Sequence, residues 1–289
     1  MKQTTKSSIV YINLERVPER RKFMEKEIKK AGLNNVQRFS AIDAKQNEAL
    51  SQTNFFSGAG DRWALPRSAI ACFESHRAVW QIAVDQELDT IVVFEDDVLL
   101  SPDIAEILIR LMSSSKKFDV VKLDIGGIHA KCGEYSEIAG LPVRKLLNRV
   151  DSASGYILSM HGAKELLKRS TQYGDTLDDF IFTPSKDWRM YQLFPAAVAQ
   201  VVYLTKFNDK FSHLTEQKVV ESEREEDPEI NQKNLSRGPI WFRIRKEFVR
   251  MGNKLIWKLY GKNKLISLGG YYGLVPINRN FETRLSKDE

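Results

Sequence analysis

An acidic triplet, Glu95, Asp96 and Asp97, directly follows the apolar residues 91–94. The apolar run is rich in β-branched side chains, which is typical of a buried strand in a parallel sheet. Because carboxylates rarely stay buried without a partner, we expect the triplet at the carboxyl end of that strand, where open α/β sheets bind ligands. Clustered carboxylates repel one another, so a hard divalent cation would stabilise them. A cation held there could bind a diphosphate, which is chemistry suited to nucleotide-sugar transfer.

A second interpretation of the triplet is purely structural. Ser101 and Pro102 follow it and are typical of the start of a helix. Carboxylates just before a helix are favoured by the positive end of the helix dipole. The triplet alone therefore leaves a metal site and an acidic helix start both open.

Strands and helices alternate along the chain, which is typical of an α/β domain with a mainly parallel sheet. We predict strands at residues 9–14, 36–42, 90–94, 118–123, 144–146, 154–159 and 196–202. We predict helices at residues 18–30, 68–84 with Ser68 as the N-cap, 101–112 and 161–170. Residues 45–66 are predicted to form a long loop, a kind of segment that often carries function.

The composition, 42% hydrophobic and 28% charged over 289 residues, is that of an ordinary globular protein. The polar start and the short apolar run at residues 9–14 fit neither a signal peptide nor a membrane span. Cys72 and Cys132 lack the spacing of a metal site or a disulfide framework. We therefore expect a protein of the reducing cytoplasm, with Cys72 as a small buried hydrophobe.

Positive charge is concentrated at the C-terminus. Residues 237–289 contain 12 Lys and Arg against 4 Asp and Glu, a net charge of +8, whereas the other 236 residues contain 32 against 34. The body is therefore not expected to bind nucleic acid. Within residues 237–264, apolar side chains recur every three or four positions with basic ones between them, as in a helix that lies on an anionic membrane surface. The alternative is a helix packed on the rest of the chain or on the second subunit of a homodimer.

These patterns predict three regions. Residues 1–215 would form the α/β domain, residues 216–236 a charged linker, and residues 237–289 a basic amphipathic helical region.

Seven segments, in order, resemble glycosyltransferase family 25, which includes bacterial lipooligosaccharide glycosyltransferases and animal collagen galactosyltransferases. They lie at residues 10–16 with 19–21, 39–44, 70–80, 94–98, 154–163, 177–180 and 195–200. The segment at 94–98 contains the acidic triplet. The segment at 70–80 matches a Gly-Cys-x-x-Ser-His pattern, with Ala71 in place of the Gly and Glu74 where an apolar residue is common. The resemblance covers about residues 9–205.

The resemblance implies a GT-A type fold, a nucleotide-sugar donor and inversion at the anomeric carbon of the sugar. It favours transfer of galactose from a UDP-sugar to a lipid-anchored lipooligosaccharide core, by a peripheral protein at the inner face of the bacterial inner membrane. The implied cofactor is a divalent cation, Mn²⁺ or Mg²⁺. Two other classes stay open: a noncatalytic nucleotide-sugar-binding protein, and a hydrolase that uses the carboxylates directly.

The resemblance also assigns roles within the acidic motif. Asp97 is the expected metal ligand, with Glu95 beside it, and Asp96 is a donor contact. His213 follows the last predicted strand and is a further candidate metal ligand.

An inverting transfer needs a base that takes the proton of the attacking hydroxyl. Asp178 is the expected base and Asp179 the alternative, and an ordinary helix N-terminus after Thr176 is the structural interpretation of both. The remaining donor-side candidates lie near the first strand and on the helix at 68–84, where arginine can bind phosphate through two hydrogen bonds. They are Asn13, Leu14, Arg16, Arg20, Asp43, Ser75 and His76.

Overall fold

The computed structural model describes residues 5–46, 50, 52–207, 238–257, 261–278 and 280–281, and the predicted α/β fold is confirmed in them. The strands are β1 (Ser7–Asn13), β2 (Val36–Ser40), β3 (Thr90–Glu95), β4 (Val98–Leu100), β5 (Val120–Lys122), β6 (Ala130–Ile138), β7 (Leu141–Leu146), β8 (Gly155–Ser159), β9 (Met190–Leu193), β10 (Val198–Gln200) and β11 (Tyr271–Gly273). The helices are α1 (Pro18–Lys30), α2 (Arg67–Asp85), α3 (Ile104–Met112), α4 (Met160–Arg169), α5 (Leu177–Ile181), α6 (Val201–Phe207), α7 (Ile240–Ile256) and α8 (Lys262–Ser267).

Among these residues, nine strands form one sheet in the order β11-β6-β7-β9-β5-β8-β3-β1-β2. The pairs β1–β2, β1–β3 and β5–β9 are parallel, and the other five pairs are antiparallel. Six strands (β1, β2, β3, β5, β6 and β9) consequently run in one direction, and β7, β8 and β11 run against them. A separate antiparallel pair, β4–β10, lies at the end of β3.

The hydrophobic core has two halves, one on each face of the sheet. Alternate residues of a strand point to opposite faces, so Ile91 and Val93 of β3 pack in one cluster with Phe73 of α2, while Val92 packs in another with Met24 of α1. Helices α2, α4 and α5 cover the first face, and α1 and α3 cover the second. Because both faces are covered, β3 is apolar at consecutive positions, which explains the run that precedes the acidic triplet.

Two sequence predictions are wrong in their details. The predicted strand at 196–202 is outside the main sheet: Val198–Gln200 pairs with β4, α6 begins directly after it, and the last parallel strand is β9. Ser68 is not an N-cap, because α2 begins at Arg67 after Pro66 and Ser68 lies in its first turn.

The C-terminal region extends the α/β domain as well as carrying a helix. Strand β11 pairs antiparallel with β6, and Phe281 is buried beside Leu99 and Ile125. The structure thus adds residues of the predicted 237–289 region to the sheet and the core, whereas the predicted linker 216–236 lies outside the described residues. No helix among the described parts of the chain has the length and apolar character needed to cross a bilayer.

The core position of Phe281 can be tested by truncation. Phe281→Ala should lower the free energy of unfolding by about 3–5 kcal/mol, because it removes a buried aromatic ring and leaves a cavity. Urea unfolding measures the change. Phe248→Ala is the matched control, since that ring is 65% exposed on α7 and its loss should cost less than about 0.5 kcal/mol. Equal stability of the two variants would show that the C-terminal segment does not belong to the core.

Candidate functional site

A cleft of about 420 Å³ opens where the parallel strands β1 and β3 end. Ten of the thirteen sequence-predicted site residues line it: Asn13, Leu14, Arg16, Arg20, Ser75, His76, Glu95, Asp96, Asp97 and Asp178. Asp43 and Asp179 are absent from its lining, and His213 lies outside the described residues. The fold therefore brings together segments up to 165 positions apart in the sequence, from residue 13 to residue 178.

The carboxylates of Asp96 and Asp97 are held from three directions. Both residues lie in the tight turn between β3 and β4 and are buried. The Arg20 guanidinium of α1 pairs with Asp96 Oδ1 at 3.2 Å and also with Asp97 Oδ2. Asn13 Nδ2 donates to Asp96 Oδ2 at 2.7 Å, and Gln200 Nε2 donates to Asp97 Oδ2 at 2.9 Å. These contacts fix both carboxylates before any ligand arrives.

Burial and like charge make this pair of carboxylates costly to ionise. Burial raises the pKa of Asp97 to about 6; Arg20 opposes the rise, and the charges of Glu95 and Asp96 add to it. Burial also raises the pKa of Asp96, again against the effect of Arg20. Asp97 Oδ1 is buried and accepts no hydrogen bond. A hard divalent cation fits this oxygen, because it would neutralise the excess negative charge and satisfy the unpartnered atom.

Glu95 lies on the other side of the sheet from its two acidic neighbours. It follows Ile91 and Val93 in the alternation of β3, so its side chain points to the α2 face. There its Oε1 lies 3.7 Å from His76 Nε2 and 4.0 Å from Cys72 Sγ. The expectation that Cys72 is a buried hydrophobe is wrong, because it is half-buried in the wall of the cleft.

The Tyr156 hydroxyl orients the ring of His76 from the side that faces the core. Its Nδ1 lies 2.8 Å from the hydroxyl of Tyr156, and that hydroxyl also accepts a hydrogen bond of 2.9 Å from Trp80 Nε1. All three side chains are buried. His76 is therefore both a core group, through Nδ1, and a cleft group, through Nε2.

The two candidate bases point in different directions. Asp178, in the first turn of α5, lines the cleft and accepts a hydrogen bond of 3.3 Å from the backbone N–H of Ser152. Asp179 pairs instead with Arg62 and Arg149, each at 3.4 Å. Only Asp178 of the two is thus placed to contact a substrate in the cleft.

Two residues that were predicted to bind the sugar donor, Arg16 and Ser75, also hold neighbouring segments of the chain in place. Arg16 lines the cleft, and its Nε donates to Asp43 Oδ2 at 2.7 Å. Ser75 Oγ donates a hydrogen bond of 2.7 Å to the carbonyl of Ala71, and it accepts a hydrogen bond of 2.9 Å from the backbone N–H of Ile42. The Arg16 bond attaches the segment after β2 to the segment after β1, and the Ser75 bond attaches it to α2, so both shape the wall of the cleft.

The cleft lining also contains five residues with polar side chains that the sequence did not predict as site residues: Ser68, Cys72, Ser152, Gln200 and Tyr203. Gln200 lies in a segment that contributed to the family resemblance, so its position carried a signal. Tyr203 carried none, because it reaches the cleft through α6, and its hydroxyl donates to Asp151 at 3.0 Å.

Comparison with known proteins gives consistent matches. The model of the family described as "Glycosyltransferase family 25 (LPS biosynthesis protein)" matches residues 7–181, more than half of the chain. A glycosyltransferase 25 family member of Drosophila pseudoobscura pseudoobscura is 32% identical over 56% of this chain and 27% of its own length. The lacto-N-neotetraose biosynthesis glycosyltransferase LgtE of Neisseria meningitidis is 23% identical over 75% of this chain and 80% of its own length.

Procollagen galactosyltransferase 2 of Homo sapiens is 28% identical over 71% of this chain and 33% of its own length. The chain thus spans about a quarter to a third of the animal relatives and most of the bacterial one. The residues matched by the family model, 7–181, include all of the cleft lining except Gln200, Val202 and Tyr203.

The Tyr156 hydroxyl should be important for stability. Tyr156→Phe leaves buried polar atoms of His76 and Trp80 without their partner, so the free energy of unfolding should fall by about 1–3 kcal/mol. Urea unfolding would report the change. Tyr135→Phe is the matched control: its hydroxyl donates to Glu137 on the surface, and the change there should stay below about 0.5 kcal/mol. A Tyr156→Phe protein as stable as wild type would contradict the proposed orientation of His76.

Proposed function

This chain belongs to glycosyltransferase family 25, and we propose that it transfers a hexose, with galactose favoured, from a UDP-sugar to a lipooligosaccharide core. The family description and the names of LgtE and procollagen galactosyltransferase 2 support this substrate class. The observation that carries the proposal is the cleft itself, which holds buried acidic groups at one point and the carboxylate of Asp178 at another.

The charge balance of the cleft supports a divalent cation, Mn²⁺ or Mg²⁺, as cofactor. Apart from His76, its charged lining consists of four carboxylates and two arginines, Arg16 and Arg20. Both arginines already pair with carboxylates. Even with His76 counted as a cation, the carboxylates outnumber the positive side chains by four to three, so the lining disfavours a diphosphate unless a further positive charge is present. Asp97 Oδ1 and the neighbouring Asp96 would hold the cation, which when bound supplies charge stabilisation for the leaving diphosphate.

Different residues act on the donor side and on the acceptor side of the cleft. Asn13 and Arg20 keep Asp96 and Asp97 in place, which pre-organises the donor side of the cleft. On the acceptor side, the Asp178 carboxylate takes the proton of the acceptor hydroxyl as that oxygen attacks the anomeric carbon. A single displacement of this kind inverts the anomeric configuration.

A substrate panel tests the reaction class. The protein is incubated with UDP-hexoses and lipooligosaccharide core oligosaccharides, and mass spectrometry follows addition of one hexose to the acceptor. We expect product with one UDP-hexose and its loss when EDTA removes the divalent cations. Metal-dependent UDP binding without product would instead indicate a noncatalytic binding protein, and sugar release without a nucleotide donor would indicate a hydrolase.

Asp178 is distinguished from its neighbour by paired variants. Asp178→Asn should retain UDP-sugar affinity and lose transfer by about 10²–10⁴-fold, because the amide cannot accept the proton. Steady-state transfer rates and calorimetric UDP binding measure the two effects. Asp179→Asn is the matched comparison, since its carboxylate pairs with arginines outside the cleft. A larger loss in Asp179→Asn than in Asp178→Asn would reverse the assignment of the base.

We also propose that helix α7 binds an anionic lipid surface, which would place the protein at the inner face of the bacterial inner membrane beside a lipid-anchored acceptor. Phe242 is buried against Trp63, but most large apolar side chains of α7 are exposed. They are Ile240, Trp241, Ile244, Phe248, Val249, Met251 and Leu255. Basic residues lie between them, a combination typical of interfacial helices.

Lipid binding by α7 can be measured by cosedimentation with vesicles. The double variant Trp241→Ser, Phe248→Ser should bind phosphatidylglycerol-containing vesicles at least tenfold more weakly, because each large side chain buried in lipid contributes about 1.5–3 kcal/mol. Ile109→Ser is the control, since Ile109 is an apolar side chain 69% exposed on a different helix, α3. Equal vesicle binding by wild type and the double variant would show that α7 does not contact the membrane.

A further inference from the structure

Three side chains of different chemistry converge on the α2 side of the cleft. Cys72 and His76 are four residues apart on α2, so they project from the same helix face. Glu95 reaches them from the end of β3. Their thiol, imidazole and carboxylate atoms all lie within 4.8 Å of one another. Given zinc–ligand bond lengths, a tetrahedral zinc site separates such atoms by roughly 3.3–3.6 Å, so small side-chain rotations would complete it.

The buried nitrogen of His76 is an independent indication of a ligand. His76 Nε2 is buried, faces Glu95 across 3.7 Å and makes no hydrogen bond. The Glu95 carboxylate pairs with this nitrogen only at 3.7 Å, beyond hydrogen-bond length, and a metal ion bound between the two groups would satisfy both. The opposite nitrogen is fixed by the Tyr156 hydroxyl, which Trp80 holds in turn. Orientation of the imidazole through its second nitrogen is typical of histidines that bind metals.

This cluster differs in chemistry from the Asp96–Asp97 pair. The aspartates offer only oxygen and are fixed by Arg20, Asn13 and Gln200, whereas the α2 cluster offers sulfur and nitrogen as well. Oxygen donors suit Mg²⁺ and Mn²⁺, while thiolate and imidazole suit Zn²⁺. We propose that Cys72, His76 and Glu95 form a second metal site, selective for a borderline cation such as Zn²⁺, whose fourth position opens into the cleft.

Occupation of this site should affect donor binding. Its three residues line the same cleft as Asp96 and Asp97, and Glu95 immediately precedes Asp96 in the sequence. Zinc bound there would narrow the cleft and inhibit transfer, a consequence that rests on the proposed function. The binding itself does not, because it requires no sugar substrate.

Cobalt is the probe for the site, since a thiolate bound to Co²⁺ gives a charge-transfer absorption band that oxygen ligands do not give. The full chain, reduced and freed of metal, is titrated with Co²⁺. We expect one thiolate-bound Co²⁺ per chain, displaced by one equivalent of Zn²⁺. The band should be lost in Cys72→Ser and need at least tenfold more Co²⁺ in His76→Gln. It should persist in Cys132→Ala and in Asp97→Asn, which alter the second cysteine and the oxygen-only pair.

Absence of the band in wild type, or its persistence in Cys72→Ser, would overturn the proposal. Alkylation of the wild-type protein gives a measurement that needs no variant: Zn²⁺ should slow iodoacetamide labelling of Cys72, located by mass spectrometry, at least tenfold. Unchanged labelling would also overturn it. A normal cobalt band in a protein that transfers no sugar would contradict the proposed function but would support the metal site.

Discussion

The burial of two adjacent carboxylates, Asp96 and Asp97, is the constraint on which the rest of the site depends. An unpaired buried carboxylate costs several kcal/mol, so the fold must bring partners to it. Asn13 comes from the end of β1, Arg20 from α1 and Gln200 from the end of β10. The first βα unit and the β4–β10 pair are therefore tied to the same turn. The cleft keeps its shape because these elements cannot separate without leaving charge uncompensated.

The acidic triplet is one motif in the sequence but two chemical environments in space. Strand alternation sends Glu95 to the α2 face, where it meets a thiol and an imidazole. The turn that follows sends Asp96 and Asp97 toward Arg20. Adjacent residues with the same functional group thus acquire different neighbours. The donor side of the cleft is better described as an oxygen-only pair beside a mixed sulfur, nitrogen and oxygen group than as three equivalent carboxylates.

Local patterns in the sequence predict the strands, helices and strand ends, because these depend on interactions between residues close together in the chain. The buried strand before the triplet, helix α1 after Pro18, and the placement of ten site residues at one sheet edge all follow from periodicity, strand ends and motif resemblance. Long-range pairing was not predictable in this way. Nothing near Asp179 indicates that Arg62 and Arg149 would bind it, and nothing near Val198 indicates that its partner would be Leu100. Cys72 was misjudged because its neighbours along α2 are largely buried, whereas its own side chain faces the cleft.

The pairing of β6 with β11 has a consequence for how the chain is made. About 130 residues separate the two strands, and β7 covers only one side of β6. During synthesis, β6 and its neighbours emerge from the ribosome long before β11, so one edge of the growing sheet has no partner strand. An unpaired edge is a template for association with other chains. Until residues 271–273 appear, residues 130–132 of β6 therefore lie on an unpaired edge, and a chaperone acting in that interval would protect the segment that β11 later covers.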